Sequence, residues 1–198
     1  MNKTEISKQI KNAFDFMQRL YNESSYLIKE IEGQLAKNEY GFQFLRTSGY
    51  SISGRKSTGL DANNVNLWLL RKFSVAFVEE LKTKLKSGQN FTEINEELKV
   101  LYFRIILEDN NETEPKIMFG TFYNIKQKKD WIKKFEHLMG VFEYIDNKLF
   151  AKFPVVDYED SDVRIKGKFK KVNLLDINSS DELIEKVINP AIKIYEGI

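Results

Sequence analysis

The sequence predicts an α+β fold in which a long N-terminal helix and a C-terminal helix pack on a mostly antiparallel sheet of about five to seven strands. Three observations lead to this prediction. Residues 5–37 repeat apolar side chains at helical spacing, and residues 67–175 contain a series of alternating strand patterns. Residues 179–198 return to helical spacing.

Length and composition limit the class of protein. The 198 residues predict one globular domain spanning 1–198, and 42% apolar with 30% charged residues excludes disorder throughout the chain. No apolar run approaches the roughly 20 residues of a membrane span, so no membrane partner is expected. The start of the chain does not resemble a secretory signal, and there is no cysteine. We therefore expect a cytoplasmic protein without disulfides or cysteine-based metal sites.

The long helix predicted at residues 5–37 carries its apolar residues in three columns. The columns are Ile10, Met17, Ser24 and Ile31; Ala13, Leu20 and Leu27; and Phe14, Tyr21, Ile28 and Leu35. A stripe this broad favours docking on a sheet over the narrow seam of a dimeric coiled coil, and a helical dimer interface is the alternative. Asn38 and Gly41 end the pattern, since glycine readily adopts the left-handed conformation that closes a helix.

Strand patterns fill the middle of the chain. A short strand is predicted at 40–46, and a longer one at 67–79 becomes apolar on both faces toward its end. Residues 98–108 form the strongest pattern and are apolar on both faces, which predicts a central position in the sheet. A polar turn then leads to 116–124, which we expect to be the adjacent antiparallel strand.

The C-terminal third mixes helix and strand patterns. Residues 126–139 predict a helix, and 141–156 predict a hairpin that turns at Asp146-Asn147. An acidic turn at 157–162 and a basic strand at 163–175 follow. Ser179 with Glu182 three residues later predicts a capping box at the start of the last helix, which Pro190 should kink or split.

The segment 47–66 has no sustained periodicity, and a stretch of this length is typically functional or disordered. It includes the polar and cationic residues Ser53, Arg55, Lys56 and Ser57 among three glycines. Arg55 separates Gly54 from Lys56, so the segment departs from the phosphate-binding loop, in which lysine directly follows the second glycine. The residues predict a general anion-binding site, with a solvated loop as the alternative.

The basic strand suggests a second site. Arg164, Lys166, Lys168 and Lys170 alternate with other residues, which places them on one face of a strand. They could lie along a phosphate backbone, joined by the lysines of segment 126–134. The alternative is an edge strand that lysines protect from aggregation. The net charge of +2 gives little support to nucleic-acid binding.

Metal and catalytic signals are incomplete. The carboxylates of 157–162 lack the central glycine and distal glutamate of a calcium loop, so a solvated turn is expected. His137 is the only histidine, which excludes a pair of histidine ligands. We therefore predict no metal, no cofactor and no catalytic residue.

These observations rank three functions. The leading hypothesis is a non-enzymatic binding or protein-interaction module of unknown partner, with 47–66 as the contact surface and a homodimer as one arrangement. The second is a nucleic-acid-associated protein that uses segments 126–134 and 164–171. The third is a carboxylate-dependent enzyme acting on phosphate esters, with Arg55 and Lys56 as anion binders and carboxylates drawn from Asp61, Glu79 and Glu80 beside Lys82.

Overall fold

The elements of the fold come from a computed structural model that describes residues 2–37, 39–44, 71–79, 98–108, 114–128, 141–142 and 153–198. In chain order they are α1 (Lys3–Leu35), β1 (Phe42–Phe44), β2 (Lys72–Glu79), β3 (Val100–Ile106), β4 (Lys116–Gln127), β5 (Val155–Glu159), β6 (Val163–Asn173), α2 (Ser180–Leu183) and α3 (Asn189–Glu196). A π-helical turn, Ile184–Ile188, joins α2 to α3, and we call the continuous run 180–196 the C-terminal helix. The predicted α+β class is confirmed.

The described strands form one sheet in the order β1-β2-β3-β4-β6-β5, and every neighbouring pair is antiparallel. All seven residues of β3 are buried, as the two-sided apolar pattern predicted for a central strand. β4 lies beside β3, as predicted for the strand that follows the polar turn. β5 forms one edge of the sheet and β1 forms the other.

The two faces of the sheet are covered by different elements. On the helix face, the second half of α1 and the C-terminal helix pack on a row of residues that includes Phe73, Val75, Phe77, Leu101, Phe103, Ile105, Ile117 and Phe119. On the opposite face, Val141 and Phe142 pack with Val78, Val100, Tyr102, Met118, Phe122, Ile165 and Phe169. The Phe142 ring stacks on Phe122 with centroids 4.3 Å apart. The central strands therefore lie between two apolar layers.

Two local predictions are wrong. Lys126 and Gln127 belong to β4 and not to a helix, because β4 continues to pair with β6 beyond a bulge at Asn124, whose φ is +49°. Asparagine tolerates this left-handed conformation. Val141 and Phe142 are helical and not the start of a hairpin. Residues 129–139 of the predicted helix, and the hairpin turn at 146–147, lie outside the described residues.

The C-terminal helix begins at Ser180 after the predicted cap residue Ser179, with one difference in the cap. The Ser179 hydroxyl accepts a hydrogen bond from the Glu182 N–H at 3.2 Å, but the Glu182 carboxylate accepts from the N–H of Asn178 at 2.7 Å, one residue earlier than in a capping box. Pro190 has no N–H to donate, and the π-helical turn lies directly before it. The helix continues past proline with a change in hydrogen bonding.

Tyr195 ties the end of the C-terminal helix to the β1 edge of the sheet. Its ring packs edge-on against Phe42 with centroids 5.0 Å apart, and its hydroxyl donates to Glu79 at 3.2 Å. Burial raises the pKa of Tyr195 well above its ordinary value, and the negative charge of Glu79 adds to this shift. The phenol therefore stays neutral and keeps its hydrogen bond at physiological pH.

Gly120 of β4 provides a test of the sheet packing. A Cβ at this position would overlap the carbonyl oxygen of Lys168 on β6 and the ring of Phe169. We expect Gly120→Ala to lower the free energy of unfolding by about 1–3 kcal/mol, the usual result of overpacking a core. The measurement is urea unfolding followed by circular dichroism.

The matched control is Gly33→Ala in α1, where an added Cβ has open space around it. Because alanine favours helix more than glycine does, this variant should gain up to about 1 kcal/mol. Equal stability changes in the two variants would contradict the assigned contact between β4 and β6.

Candidate functional site

The residues of the predicted anion-binding site are not among those that the structure describes. Ser53, Arg55, Lys56 and Ser57 lie outside them, as do His137 and most of the carboxylates assigned to a phosphate-ester enzyme. Glu79 is the described member of that carboxylate set, and it accepts the hydrogen bond from Tyr195. The anion site and the enzyme both stay predictions.

The four cations of β6 lie on one face of the sheet. Val163, Ile165, Gly167 and Phe169 are buried between them, whereas Lys168 and Lys170 are exposed and Arg164 and Lys166 are half-buried. Lys170 pairs in register with Phe119, which places the row on the helix face. The edge-strand alternative is wrong for the first part of the row, because β5 pairs with β6 from Arg164 to Lys168.

Carboxylates of β5 lie near two of the four cations in this row. Lys166 lies opposite Asp157 with Nζ 3.9 Å from Oδ2, and Arg164 lies opposite Glu159 with Nε 3.6 Å from Oε2. Lys168 lies opposite the exposed Val155. Within the described part of the chain, Lys168 and Lys170 make no ion pair.

Lys128 does not extend the basic row either. Its ammonium group lies 2.6 Å from the Glu159 carboxylate and donates to the carbonyl oxygen of Asp160 at 2.8 Å. Lys126 lies on β4 opposite Arg164 and not on a helix with Lys128. The other lysines of the segment, Lys129, Lys133 and Lys134, lie outside the described residues.

The acidic turn is closed by its own hydrogen bonds. One oxygen of Asp160 accepts from the N–H groups of Asp162 and Val163 at 2.7 and 2.8 Å, and the other accepts from the Tyr158 hydroxyl at 2.6 Å. A carboxylate used in this way caps a turn. Across the described ranges, no group of three or more acidic or histidine side chains is arranged to hold a metal ion.

The largest unexpected surface is the first half of α1. Sequence spacing predicted a helix that docks on the sheet along its length, but partial burial begins only at Met17, and Ser24, Ile31 and Leu35 are the fully buried residues of the helix. Tyr21 is the residue where α1 meets the sheet, with its ring edge-on to Phe73 at 5.8 Å. The docking prediction is correct for the second half of the helix alone.

We call residues 3–16 the overhang, and every one of them is exposed. Its apolar residues include Ile6 at 40%, Ile10 at 54%, Phe14 at 74% and Phe16 at 63% exposed. Helical spacing of 100° per residue puts about 160° between Phe14 and Phe16, with the other apolar residues between them. We call this face, with its continuation at Met17 and Leu20, the overhang stripe: Ile6, Ile10, Ala13, Phe14, Phe16, Met17 and Leu20.

Lys3 is the one charged residue of the overhang that falls inside the angular range of the stripe, between Ile10 and Phe14. Glu5, Lys8, Lys11, Asp15 and Arg19 all project outside it by the same spacing. A helix that is exposed all round is usually polar all round, so an apolar face in solvent is unusual. The three apolar columns contained this signal, but sequence alone does not say which half of the helix the sheet covers.

A groove adjoins the overhang on the side of Phe16. It has a volume of about 360 Å³ and lies between α1 and the segment that enters the C-terminal helix. Apolar residues from both elements line it, including Leu20, Tyr26, Leu27, Leu174, Ile177 and Leu183. The apolar surface thus continues from the overhang onto the body of the protein.

Sequence reasoning also missed a buried cation. Arg104 is 3% exposed at the middle of β3, opposite Ser74 of β2 and Met118 of β4. A buried charge is costly unless other groups compensate it. Arg104 is therefore a charged residue among the apolar side chains on the sheet face that lies away from the helices. The available signal was a single charged residue in the otherwise apolar strand Val100–Ile106.

Comparison of the chain with protein-family models, with curated proteins and with solved structures found no match. Among the described residues, no helix has both the length and the apolar character that a membrane span requires. The function must therefore be argued from the surfaces described above.

The acidic turn gives a pH prediction. A hydrogen bond from Lys128, together with its positive charge, lowers the pKa of Glu159. We expect Lys128→Met to raise the pKa of Glu159 toward its ordinary value, measured by an NMR titration of the glutamate side chains.

The stability that this pair contributes should be present above the unfolded-state pKa of glutamate and lost as pH falls through the lowered folded-state value. Because the pair is exposed, the loss should be small. Lys170→Met is the control, and an equal shift of Glu159 in that variant would refute the assigned partner.

Proposed function

We propose that this chain is a non-enzymatic protein-interaction module and that the overhang stripe is its contact surface. One observation carries the proposal: an apolar helix face, flanked by Phe14 and Phe16, is exposed on the first half of α1. Large exposed apolar patches on folded proteins typically mark binding surfaces. Aromatic residues are also enriched among those that dominate binding energy.

The energetics of helices support the same reading. A helix of the length of the overhang is marginal by itself in water, because most helical stability in proteins comes from packing an amphipathic face. The second half of α1 has this packing on Phe73 and its neighbours, and the overhang does not. A partner that covers the stripe would supply it, as in other complexes where an apolar helix face is recognised.

Segment 47–66 remains a second proposed contact surface, on the grounds of its length and composition.

We also propose the cytoplasm as the location, since a chain without cysteine gains no disulfide stability in an oxidising compartment.

Interaction proteomics in the native cells tests the proposed module. We expect tagged wild-type protein to retain at least one protein, another copy of the chain included, that the Phe14→Glu/Phe16→Glu variant retains at least about tenfold less. Burial of one phenylalanine alone contributes about 1.5–3 kcal/mol. Gln18→Glu, on the polar side of α1, is the matched control and should retain the same proteins as wild type.

If wild type, the double phenylalanine variant and Gln18→Glu all retained the same proteins, the proposed interaction module would be contradicted. Catalytic turnover that a single side-chain substitution abolishes would contradict its non-enzymatic character.

Nucleic-acid binding is the second candidate function, and the exposed Lys168 and Lys170 favour it. If both contact phosphates, replacing them with alanine should reduce the slope of log K against log salt by about 1.4–1.8, measured by anisotropy with labelled RNA and DNA. Lys166→Ala is the control, because its ammonium group is already near Asp157. Absence of binding to either nucleic acid at low salt would exclude this function.

A further inference from the structure

The overhang stripe fits one occupant in particular. We infer that it pairs with the same stripe of a second copy of this chain, with the two α1 helices antiparallel. The inference rests on the proposed interaction surface and names the partner. A two-fold pair of this kind is the commonest form of soluble oligomer, because one self-complementary patch serves both subunits.

The length of the overhang matches such a pair. α1 is a 33-residue helix about 50 Å long, and its first contact with the sheet through an aromatic ring is at Tyr21. If a two-fold axis passes between residues 11 and 12, residues 3–20 of one helix lie against residues 20–3 of the other. The overlap then uses the whole overhang together with the half-buried Met17 and Leu20, and it ends one residue before Tyr21, whose ring contacts the sheet of its own subunit.

Side-chain sizes also fit this register. Ile6 lies opposite Met17 of the second copy, and Ile10 lies opposite Ala13. The pairing of Ile10 with Ala13 occurs twice, on either side of the two-fold axis, and combines a large residue with a small one, which lets the helices approach closely at the centre. Phe14 and Phe16 lie on the two flanks of the contact, where they cover its edges.

Electrostatics do not oppose the pair. The charged side chains of residues 5–19 lie outside the contact, and the dipoles of antiparallel helices align favourably. Lys3 lies within the angular range of the stripe at the end of the overlap, where its long side chain reaches solvent past Leu20 of the second copy. In a parallel pair, Lys3 would lie beside Lys3 of the second copy, whereas the antiparallel register separates the two.

The surface that the two helices would bury indicates which class of interface they form. An enclosed phenylalanine buries about 150–250 Å², so Phe14 at 74% and Phe16 at 63% exposed present roughly 200–340 Å² per chain. With the aliphatic residues of the stripe, the pair buries on the order of 500 Å² per chain, below the about 800 Å² of a standard interface. An interface of this size belongs to the weak, transient class, and we expect the dimer to dissociate within the micromolar range.

Sedimentation equilibrium of the purified chain from about 1 to 200 μM is the first experiment. We expect wild-type protein to pass from monomer to dimer over this range, and Phe14→Glu to remain monomeric with at least a tenfold weaker association. Gln18→Glu adds the same charge on the polar side of α1 and should dimerise as wild type does. Wild-type protein that stays monomeric at 200 μM would overturn the inference.

Cross-linking tests the direction of the helices. The chain has no cysteine, so Ile6→Cys and Met17→Cys each introduce a single thiol. Upon oxidation, an equal mixture of the two variants should form a disulfide between the two different chains. Either variant alone should form no disulfide, because its two identical thiols lie about 16 Å apart along the antiparallel pair. Efficient disulfide formation by each variant alone would indicate a parallel pair and overturn the antiparallel arrangement.

Hydrogen exchange gives a readout that does not depend on mutation. Amide protons of residues 6–18 should become protected as the concentration rises through the dimer range, and those of the sheet should not change. A monomer that still retains other proteins through Phe14 and Phe16 would refute the dimer and leave the interaction module in place. A monomer that retains none would refute both.

Discussion

Burial of the sheet on both faces is the constraint on which the rest of this structure depends. β3 is buried at every residue, so the chain must supply an apolar layer above and below it. The C-terminal helix and the second half of α1 provide one layer, and Val141 with Phe142 contributes to the other. Hydrophobic burial is the largest favourable term in folding. The helices therefore lie where they remove the apolar surface of the sheet from water.

The same constraint explains why the two halves of α1 differ. The sheet can cover the helix only as far as it extends, and its support ends near Tyr21. The apolar stripe nevertheless continues through Phe14 to Ile6 without a charged residue. Among the described elements, the sheet does not cover this part of the stripe, and association is the physical process that would bury it in the same way.

Sequence patterns identified most elements because burial imposes a period on them. The strands at 98–108 and 116–124 were recognised since two-sided burial leaves an almost continuous apolar run. The predictions from sequence were wrong where the pairing of distant strands determines the secondary structure. Lys126 and Gln127 join β4 because β6 is available beside them, and Lys166 meets Asp157 because of a register between β5 and β6. Neither fact is encoded in local spacing, and the covered half of α1 is not encoded there either.

Magnitudes favour the interaction surface over the basic row as the functional part of the described structure. Two lysines that contact two phosphates change affinity only about tenfold for a fourfold change in salt. Phe14 and Phe16 together expose roughly 200–340 Å², and at about 25 cal/mol per Å² their burial is worth at most about 5–8 kcal/mol. Entropy of association removes part of this gain. In the basic row, Asp157 and Glu159 lie near two of the four cations, so Lys168 and Lys170 are the ones without a carboxylate beside them among the described residues.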